Sequence, residues 1–179
     1  AGSYGSIFHA ADILTQYQGI PAAQLGDAGV GVIPEGWTGL QTWGTVDILR
    51  RTMPEFADIA PDAVTINQVY QFTAARFPAV TFTQFTTMAD TVQAFFYALM
   101  GESRWTEHML GQLDELVQNV PNFRAFVTGS NIHTIMQLPQ FYTYQANGIP
   151  VRDWVEALAN GEPVENVFCR NCAVYELVK

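Results

Sequence analysis

Short strand-like runs alternate with helical patterns along most of this chain. The segment PAAQLGDAGVGV (21–32) predicts a strand that ends in a loop at Asp27, and the runs 79–85 and 123–129 are rich in β-branched and aromatic residues. Apolar residues recur at helical spacing between and after these runs. Strands that alternate with helices are typical of a parallel sheet covered by helices, so we predict an α/β fold.

The helical patterns also indicate where the helices end. Glycines at positions 19, 101 and 161 follow three of the patterns and are typical helix stops. Residues 34–78 mix loop-like and helical stretches, and we treat them as a candidate cap or lid insertion. The patterns predict helices over 6–18, 45–56, 62–77, 91–101, 106–120 and 150–161.

Three predicted strands make a thin sheet. A parallel sheet needs cover on both faces, and its edges stay open to further pairing. We therefore expect additional strands in a segment upstream of Ala1. On this interpretation residues 1–179 belong to a single domain and form its C-terminal portion.

Composition and charge exclude several classes of partner. The chain has 179 residues, of which 49% are hydrophobic, and this is enough to bury a core. Its formal net charge of −9 disfavours contact with the phosphates of nucleic acid. No apolar run approaches the ~20 residues of a transmembrane helix, so we expect no membrane insertion.

Candidate catalytic groups follow the predicted strands. In open α/β sheets, active groups collect beyond the carboxyl ends of the strands. Asp27 follows the first predicted strand, Asp90 the second and His133 the third. An acid and a late histidine in this order, after an early serine, are arranged as in an α/β-hydrolase. A loop after a strand also lets a histidine reach a nucleophile as its general base.

Each candidate also has a purely structural interpretation. His9 and His108 lie within helical patterns, where a surface or packing role explains them. Asp90 begins a helical pattern, and aspartate is a preferred N-cap residue. Asp27 precedes Ala-Gly, which is common turn chemistry. From the residues alone, either Asp27 or Asp90 could orient the His133 imidazole by accepting a hydrogen bond from its Nδ1–H.

Four segments together resemble a known enzyme family. They are AGSYGS at 1–6, GDAGVGV at 26–32, FTTMADTVQAFFYALMG at 85–101 and GSNIHTIMQLPQFYTYQANGIPVRDWVEALANG at 129–161. In this order they resemble the C-terminal two-thirds of the pectin acetylesterase/Notum group of α/β-hydrolases. The resemblance implies an α/β-hydrolase-type parallel sheet with flanking helices, lacking its N-terminal strands.

The family's motifs imply which residues are the acid and the base. A D-x-x-Q segment that carries the acid in this family matches Asp90 and Gln93. The late histidine of the family, which precedes a tyrosine-rich segment and a D-W pair, matches His133. The resemblance therefore favours Asp90 over Asp27 as the partner of the imidazole.

The nucleophile of this family would lie outside the chain. In the family motif G-x-S-A-G-G-x-G, the A-G pair matches Ala1 and Gly2, Ser3 replaces the next glycine, and Gly5 matches the last. The resemblance implies that the nucleophilic serine immediately precedes Ala1 and that the Ala1 N–H is an oxyanion-hole donor. Ser3 is the alternative nucleophile, but a nucleophile elbow needs a strand before the serine, and only two residues precede Ser3.

One loop and two tryptophans are candidates for lining a substrate site. The D-S-G loop of the family matches Asp27, Ala28 and Gly29, with alanine in place of serine, and implies a loop that lines the site without completing the triad. Trp37 and Trp43 lie among glycines and could line a cleft for a sugar or an acyl group. Their alternative role is packing in the core of a cap.

The two cysteines form a C-x-x-C near the C-terminus. Such a pair can host thiol exchange, but Cys169 and Cys172 follow a predicted helix rather than opening a helix behind a strand. Two cysteines are also too few for a tetrahedral zinc site. We therefore expect a local structural disulfide in a secreted or periplasmic protein, with a thiol-redox module as the alternative.

The sequence thus predicts a serine carboxylic-ester hydrolase that lacks its nucleophile in this chain. In the implied acyl transfer, an upstream serine attacks the ester, His133 transfers the proton and Asp90 orients the imidazole. The resemblance implies an ester substrate such as an acetylated polysaccharide, with no metal and no organic cofactor. The alternative is a non-catalytic α/β domain that keeps the fold for binding or assembly.

Overall fold

The computed structural model describes residues 2–170, 172 and 176–177. Over these residues the chain is α/β, with a parallel sheet flanked by helices. Its helices are α1 (Gly2–Phe8), α2 (Ala10–Gln16), α3 (Gly39–Thr42), α4 (Thr45–Thr52), α5 (Ile66–Arg76), α6 (Thr91–Leu99), α7 (Trp105–Asn119) and α8 (Val151–Ala159). Its strands are β1 (Ala23–Asp27), β2 (Thr81–Thr87), β3 (Phe123–Thr128), β4 (Tyr144–Ala146), β5 (Ile149–Pro150), β6 (Val167–Phe168) and β7 (Glu176–Leu177). Short 3-10 helices cover Pro54–Phe56, Pro61–Ala63 and Pro139–Tyr142.

The main sheet brings the ends of its strands to one edge. Its order over the described residues is β1-β2-β3-β6, and every pair is parallel. The register sets Asp27 opposite Phe85 and Thr87 opposite Thr128, so the loops after β1, β2 and β3 meet at the carboxyl edge. The three predicted strands are confirmed. The short strand β6 and the small antiparallel sheet β5-β4-β7 were not predicted from the sequence.

Apolar side chains cover both faces of the main sheet. Ala125 and Val127 belong to one buried cluster and Phe126 to another. Successive side chains of a strand point to opposite faces, so the two clusters lie on opposite faces of the sheet. The first cluster includes residues of α5 and α7, and the second includes Val151, Trp154 and Leu158 of α8.

Residues 34–78 share the first of these clusters with the strands. Val46 and Leu49 of α4 are buried in it together with Val69 and Tyr70 of α5. α5 begins at a capping box. The side chain of Thr65 accepts a hydrogen bond from the backbone N–H of Gln68, and the side chain of Gln68 accepts one from the backbone N–H of Thr65. This segment therefore packs against the sheet as part of the main core.

The predicted helix over 6–18 is divided into α1 and α2 at His9. The division is slight, because the His9 N–H still donates to the Gly5 carbonyl at 3.1 Å and the Ile13 N–H to the His9 carbonyl at 3.0 Å. A helix suited to crossing a bilayer is not found in the part of the chain that the structure describes.

Candidate functional site

His133 and Asp90 are in direct contact at the carboxyl edge of the sheet. The Nδ1 atom of His133 lies 2.9 Å from Oδ2 of Asp90 and 3.1 Å from Oδ1. The Asp90 side chain is fully buried, whereas 28% of the His133 side chain is exposed. A carboxylate at Nδ1 favours the tautomer that carries its proton there, which leaves Nε2 as the nitrogen that can accept a proton.

Asp90 takes its position from the start of α6. As the N-cap residue, it accepts at Oδ1 from the backbone N–H of Val92 at 3.0 Å and of Gln93 at 2.9 Å. The side-chain amide of Gln93 donates to Oδ2 at 2.8 Å. A buried carboxylate needs such donors because burying an unpaired charge is costly. The sequence offers the N-cap role and the histidine contact as alternative explanations of Asp90. In the structure the same carboxylate does both.

Gln93 connects Asp90 to two neighbouring elements. Its Nε2 lies 3.1 Å from the hydroxyl of Thr86 in β2, and its Oε1 accepts from the backbone N–H of Val30 at 3.0 Å. Val30 lies in the loop after β1. Gln93 thus ties Asp90 to the sheet and to that loop.

Asp27 binds the backbone of the loop that carries His133. Its carboxylate accepts from the N–H of Ile135 at 3.0 and 2.9 Å and from the N–H of Met136 at 3.0 Å. Thr134, between the histidine and these residues, has a φ of +61°, which is rare for a β-branched residue. The sequence alone leaves open whether Asp27 or Asp90 binds the imidazole. In the structure Asp90 contacts the imidazole, and Asp27 contacts the backbone beside it.

A cavity of about 640 Å³ opens beside His133. Volumes of this size with a mostly apolar lining and a few polar groups are typical of small-molecule sites. The rings of Trp37 and Trp43 meet edge to face, with centroids 5.2 Å apart, on its wall. Apolar side chains supply most of the lining: Phe8, Ala28, Val32, Ile33, Trp37, Leu40, Trp43, Ile66, Val92, Phe96, Leu99, Met100 and Trp105.

The residues predicted to line a substrate site are divided by the structure. Ala28 and Trp37 line the cavity, whereas Asp27 and Gly29 are not among its lining residues. A Cβ added at Gly29 would lie 2.5 Å from the Cβ of Ser3, so this glycine permits close packing of α1. Of these three positions, Ala28 therefore lines the cavity, Asp27 anchors the loop that carries His133, and Gly29 is a packing position.

The two candidates at the start of the chain differ in what the structure describes. Ser3 is buried in α1, with its hydroxyl 3.4 Å from the Gly29 carbonyl and 3.2 Å from Nε2 of Gln84. These partners belong to the packing of α1 on the sheet. Ala1 lies outside the described residues, so its role as an oxyanion-hole donor stays a prediction.

Tyr4 is a cavity residue that sequence reasoning missed. It lines the cavity together with His133. Burial, and next the negative charge of Asp90, raise the pKa of Tyr4 above its ordinary value, although a backbone hydrogen bond at Gly31 lowers it. The phenol is therefore neutral at pH 7 and acts there as a hydrogen-bonding group. Its one sequence signal was its place beside the glycines that open the chain.

Cys169 and Cys172 are joined as a disulfide, with their Cα atoms 5.7 Å apart. Within residues 2–170 and the few described residues after them, no group of three His, Cys, Asp or Glu side chains is arranged to hold a metal ion.

The chain was compared with protein families and with curated proteins. No protein-family model matches it, and no curated protein shows a significant match.

Proposed function

We propose that this chain carries the acid and the base of a serine carboxylic-ester hydrolase of the α/β-hydrolase type, similar to the pectin acetylesterase/Notum group. The observation that carries the proposal is the 2.9 Å contact between His133 Nδ1 and the buried carboxylate of Asp90, beside an open cavity. An imidazole held in this way is the general base of acyl-transfer enzymes. β1 is the outer strand of the described sheet, so its open side would accept the further strands that this fold type requires.

The proposed reaction proceeds through an acyl-enzyme. The serine oxygen attacks the ester carbonyl carbon, and Nε2 of His133 accepts the hydroxyl proton while Asp90 stabilises the imidazolium. The tetrahedral intermediate then breaks its bond to the alcohol oxygen, which takes the proton from His133. Water repeats the sequence on the acyl-serine, releasing the carboxylic acid and regenerating the serine.

The proposed nucleophile is the residue immediately upstream of Ala1, and the Ala1 N–H is the proposed oxyanion donor. Ser3 fits the nucleophile role poorly, because it is buried and its hydroxyl faces the Gly29 carbonyl. The cavity would receive an ester substrate, for which the resemblance suggests an acetylated polysaccharide. A secreted or periplasmic location is part of the proposal, and the Cys169–Cys172 disulfide supports it.

A fluorophosphonate probe tests the proposal, because it labels activated serines covalently. The chain and a version extended upstream are treated with the probe, mapped by mass spectrometry and assayed with p-nitrophenyl acetate. We expect labelling of the serine before Ala1 and ester hydrolysis in the extended protein, with loss of both in His133→Ala. His9→Ala is the matched control, since His9 is exposed at the junction of α1 and α2, and it should keep both.

Other outcomes separate the alternatives. A folded extended protein that is neither labelled nor active would overturn the proposal and favour a non-catalytic binding domain. Labelling at Ser3 would overturn the assignment of the nucleophile.

A further inference from the structure

Asp27 uses its whole carboxylate on the loop that follows β3. Oδ1 accepts from the Ile135 N–H at 3.0 Å, and Oδ2 accepts from Ile135 at 2.9 Å and from Met136 at 3.0 Å. Hydrogen bonds to an ionised carboxylate are stronger than those between neutral groups. Asp27 is thus a firm anchor for backbone that begins two residues after the imidazole of His133.

The backbone between the imidazole and this anchor is in an unfavourable conformation. Thr134 has a φ of +61°, and a β-branched residue in the left-handed region is a genuine outlier. Such conformations persist only when the surrounding structure imposes them. The bonds from Asp27 to the two residues after Thr134 supply this constraint. Without them, we expect Thr134 to relax to a negative φ and to turn the preceding imidazole away from its partner.

The backbone just before His133 is held by the end of β2 and the start of α6. The Asn131 carbonyl accepts from the Thr91 N–H at 3.2 Å, and the hydroxyl of Thr87 donates to the Ile132 carbonyl at 2.8 Å. Those contacts come from the same part of the chain as the acid. Asp27 instead belongs to β1, so it supplies an independent second anchor on the far side of the histidine.

We infer that Asp27 is a positioning residue, which holds the loop after β3 so that the imidazole of His133 stays against Asp90. It acts through the N–H groups of Ile135 and Met136, and so on the reaction only through the position of His133. The resemblance implies that Asp27 lines the site, whereas here its role is to hold the loop that carries His133. It rests on the proposed function, because the position of His133 matters to a reaction only if His133 is the base.

Proton NMR of His133 tests the inference without requiring catalysis. The chain has three histidines, so ¹⁵N-histidine labelling gives a simple spectrum. We expect a downfield Nδ1–H signal that exchanges slowly with water and is identified by its absence in Asp90→Asn. Asp27→Ala removes all three bonds and should abolish this signal while the circular dichroism spectrum is kept. Asp27→Asn retains one acceptor oxygen and should give faster exchange than the wild type.

A matched control and a kinetic measurement complete the test. Asp47→Asn changes an exposed carboxylate in the first turn of α4 and should leave the His133 signal unchanged. In the extended, active protein, Asp27→Ala should lower kcat about 10²-fold with little change in KM, because a misplaced base slows the chemical step.

The outcomes separate this inference from the proposed function. If the extended wild-type protein is inactive, the proposed function fails, and the NMR result still decides whether Asp27 positions His133. If the folded Asp27 variants show the wild-type Nδ1–H signal and exchange rate, the inference is overturned. If Asp27→Ala does not fold, Asp27→Asn decides by the same criterion.

Discussion

Nδ1 of His133 lies 2.9 Å from Oδ2 of Asp90, and the same carboxylate is the N-cap of α6. One buried group therefore determines both where a helix begins and where an imidazole is held. A side chain fixed by a helix start is positioned more rigidly than one on a loop alone. Substitutions around this carboxylate are consequently expected to affect stability as well as the histidine.

Replacing Gln93 with glutamate should destabilise the protein at neutral pH. Nε2 of Gln93 donates to Oδ2 of Asp90 at 2.8 Å, so Gln93→Glu would set a second carboxylate against the first in a buried place. Two carboxylates that share such a site disfavour each other's ionisation. We expect the free energy of unfolding to fall by about 1–3 kcal/mol at pH 7 in urea titrations.

The sign of the pH dependence follows from the same contact. The introduced carboxyl holds its proton more tightly in the folded protein than in the unfolded chain. The free energy of unfolding of Gln93→Glu should therefore fall as the pH rises, and lowering the pH to about 5 should restore part of it. Gln68→Glu is the matched control, since Gln68 occupies the same position of α5 and its Oε1 accepts from the Thr65 N–H at 2.9 Å. That variant keeps an acceptor and should lose no stability. A Gln93→Glu protein as stable as the control at pH 7 would contradict this prediction.

A methyl group at Gly29 should displace α1 from the sheet. A Cβ at this position would lie 2.5 Å from both Cβ and Oγ of Ser3, closer than any packing allows. We expect Gly29→Ala to lower the free energy of unfolding by about 1–3 kcal/mol. Gly111→Ala, in the interior of α7 with nothing within 4 Å, should raise it by about 0.5–1 kcal/mol. Equal effects of the two substitutions, measured by thermal and urea unfolding, would argue against tight packing of Ser3.

Removing the backbone strain at Thr134 by substitution with glycine should stabilise the loop that carries His133. A left-handed conformation costs a non-glycine residue about 1–3 kcal/mol, whereas glycine adopts it freely. We expect Thr134→Gly to raise the free energy of unfolding by about 1 kcal/mol after the entropy of the added glycine is subtracted. The opposite kind of change is Asn147→Thr, which places a β-branched residue at a φ of +53° and should destabilise the protein. A Thr134→Gly protein that is clearly less stable would show that Thr134 is not strained.

The parallel sheet could be predicted because its strands carry local signals. β2 and β3 are buried runs rich in β-branched and aromatic residues, and such runs read as strands without tertiary information. β6 is only two residues long, so it carries no periodicity. The turn Asn147–Gly148, with φ of +53° and +77°, joins β4 to β5, and an Asn-Gly pair is a hairpin signal that could have been used.

The sequence indicates two residues of the candidate site but not the hydrogen bonds that hold them in place. The sequence indicates Asp90 and His133 because polar groups that follow parallel strands meet at one edge of the sheet. That Asp27 binds the N–H of Ile135, 108 positions away, depends on how two loops pack and has no local pattern. The same holds for Gln93, whose contact with the Val30 N–H spans 63 positions. Long-range hydrogen bonds of this kind determine which of two plausible carboxylates meets the imidazole.

Stability should fall at alkaline pH because of Tyr70. Burial raises the pKa of Tyr70 well above its ordinary value of about 10, although Nε2 of Gln84 donates to its oxygen at 2.5 Å. The unfolded chain loses this proton near pH 10 while the folded protein keeps it, so unfolding releases a proton. The free energy of unfolding should therefore drop by about 1.4 kcal/mol per pH unit above pH 10 on account of this one group.

Tyr70→Phe isolates that contribution. The variant loses the hydrogen bond to Gln84 and should be less stable at pH 8 by about 1–3 kcal/mol, yet its stability should fall less steeply between pH 10 and 11. Some slope should remain, because burial also raises the pKa of Tyr4 and of Tyr97. Tyr142→Phe is the control, since 64% of Tyr142 is exposed, and its slope should match the wild type. Parallel pH profiles for wild type and Tyr70→Phe, measured by urea unfolding at each pH, would mean that the buried phenol loses its proton as readily as one in the unfolded chain.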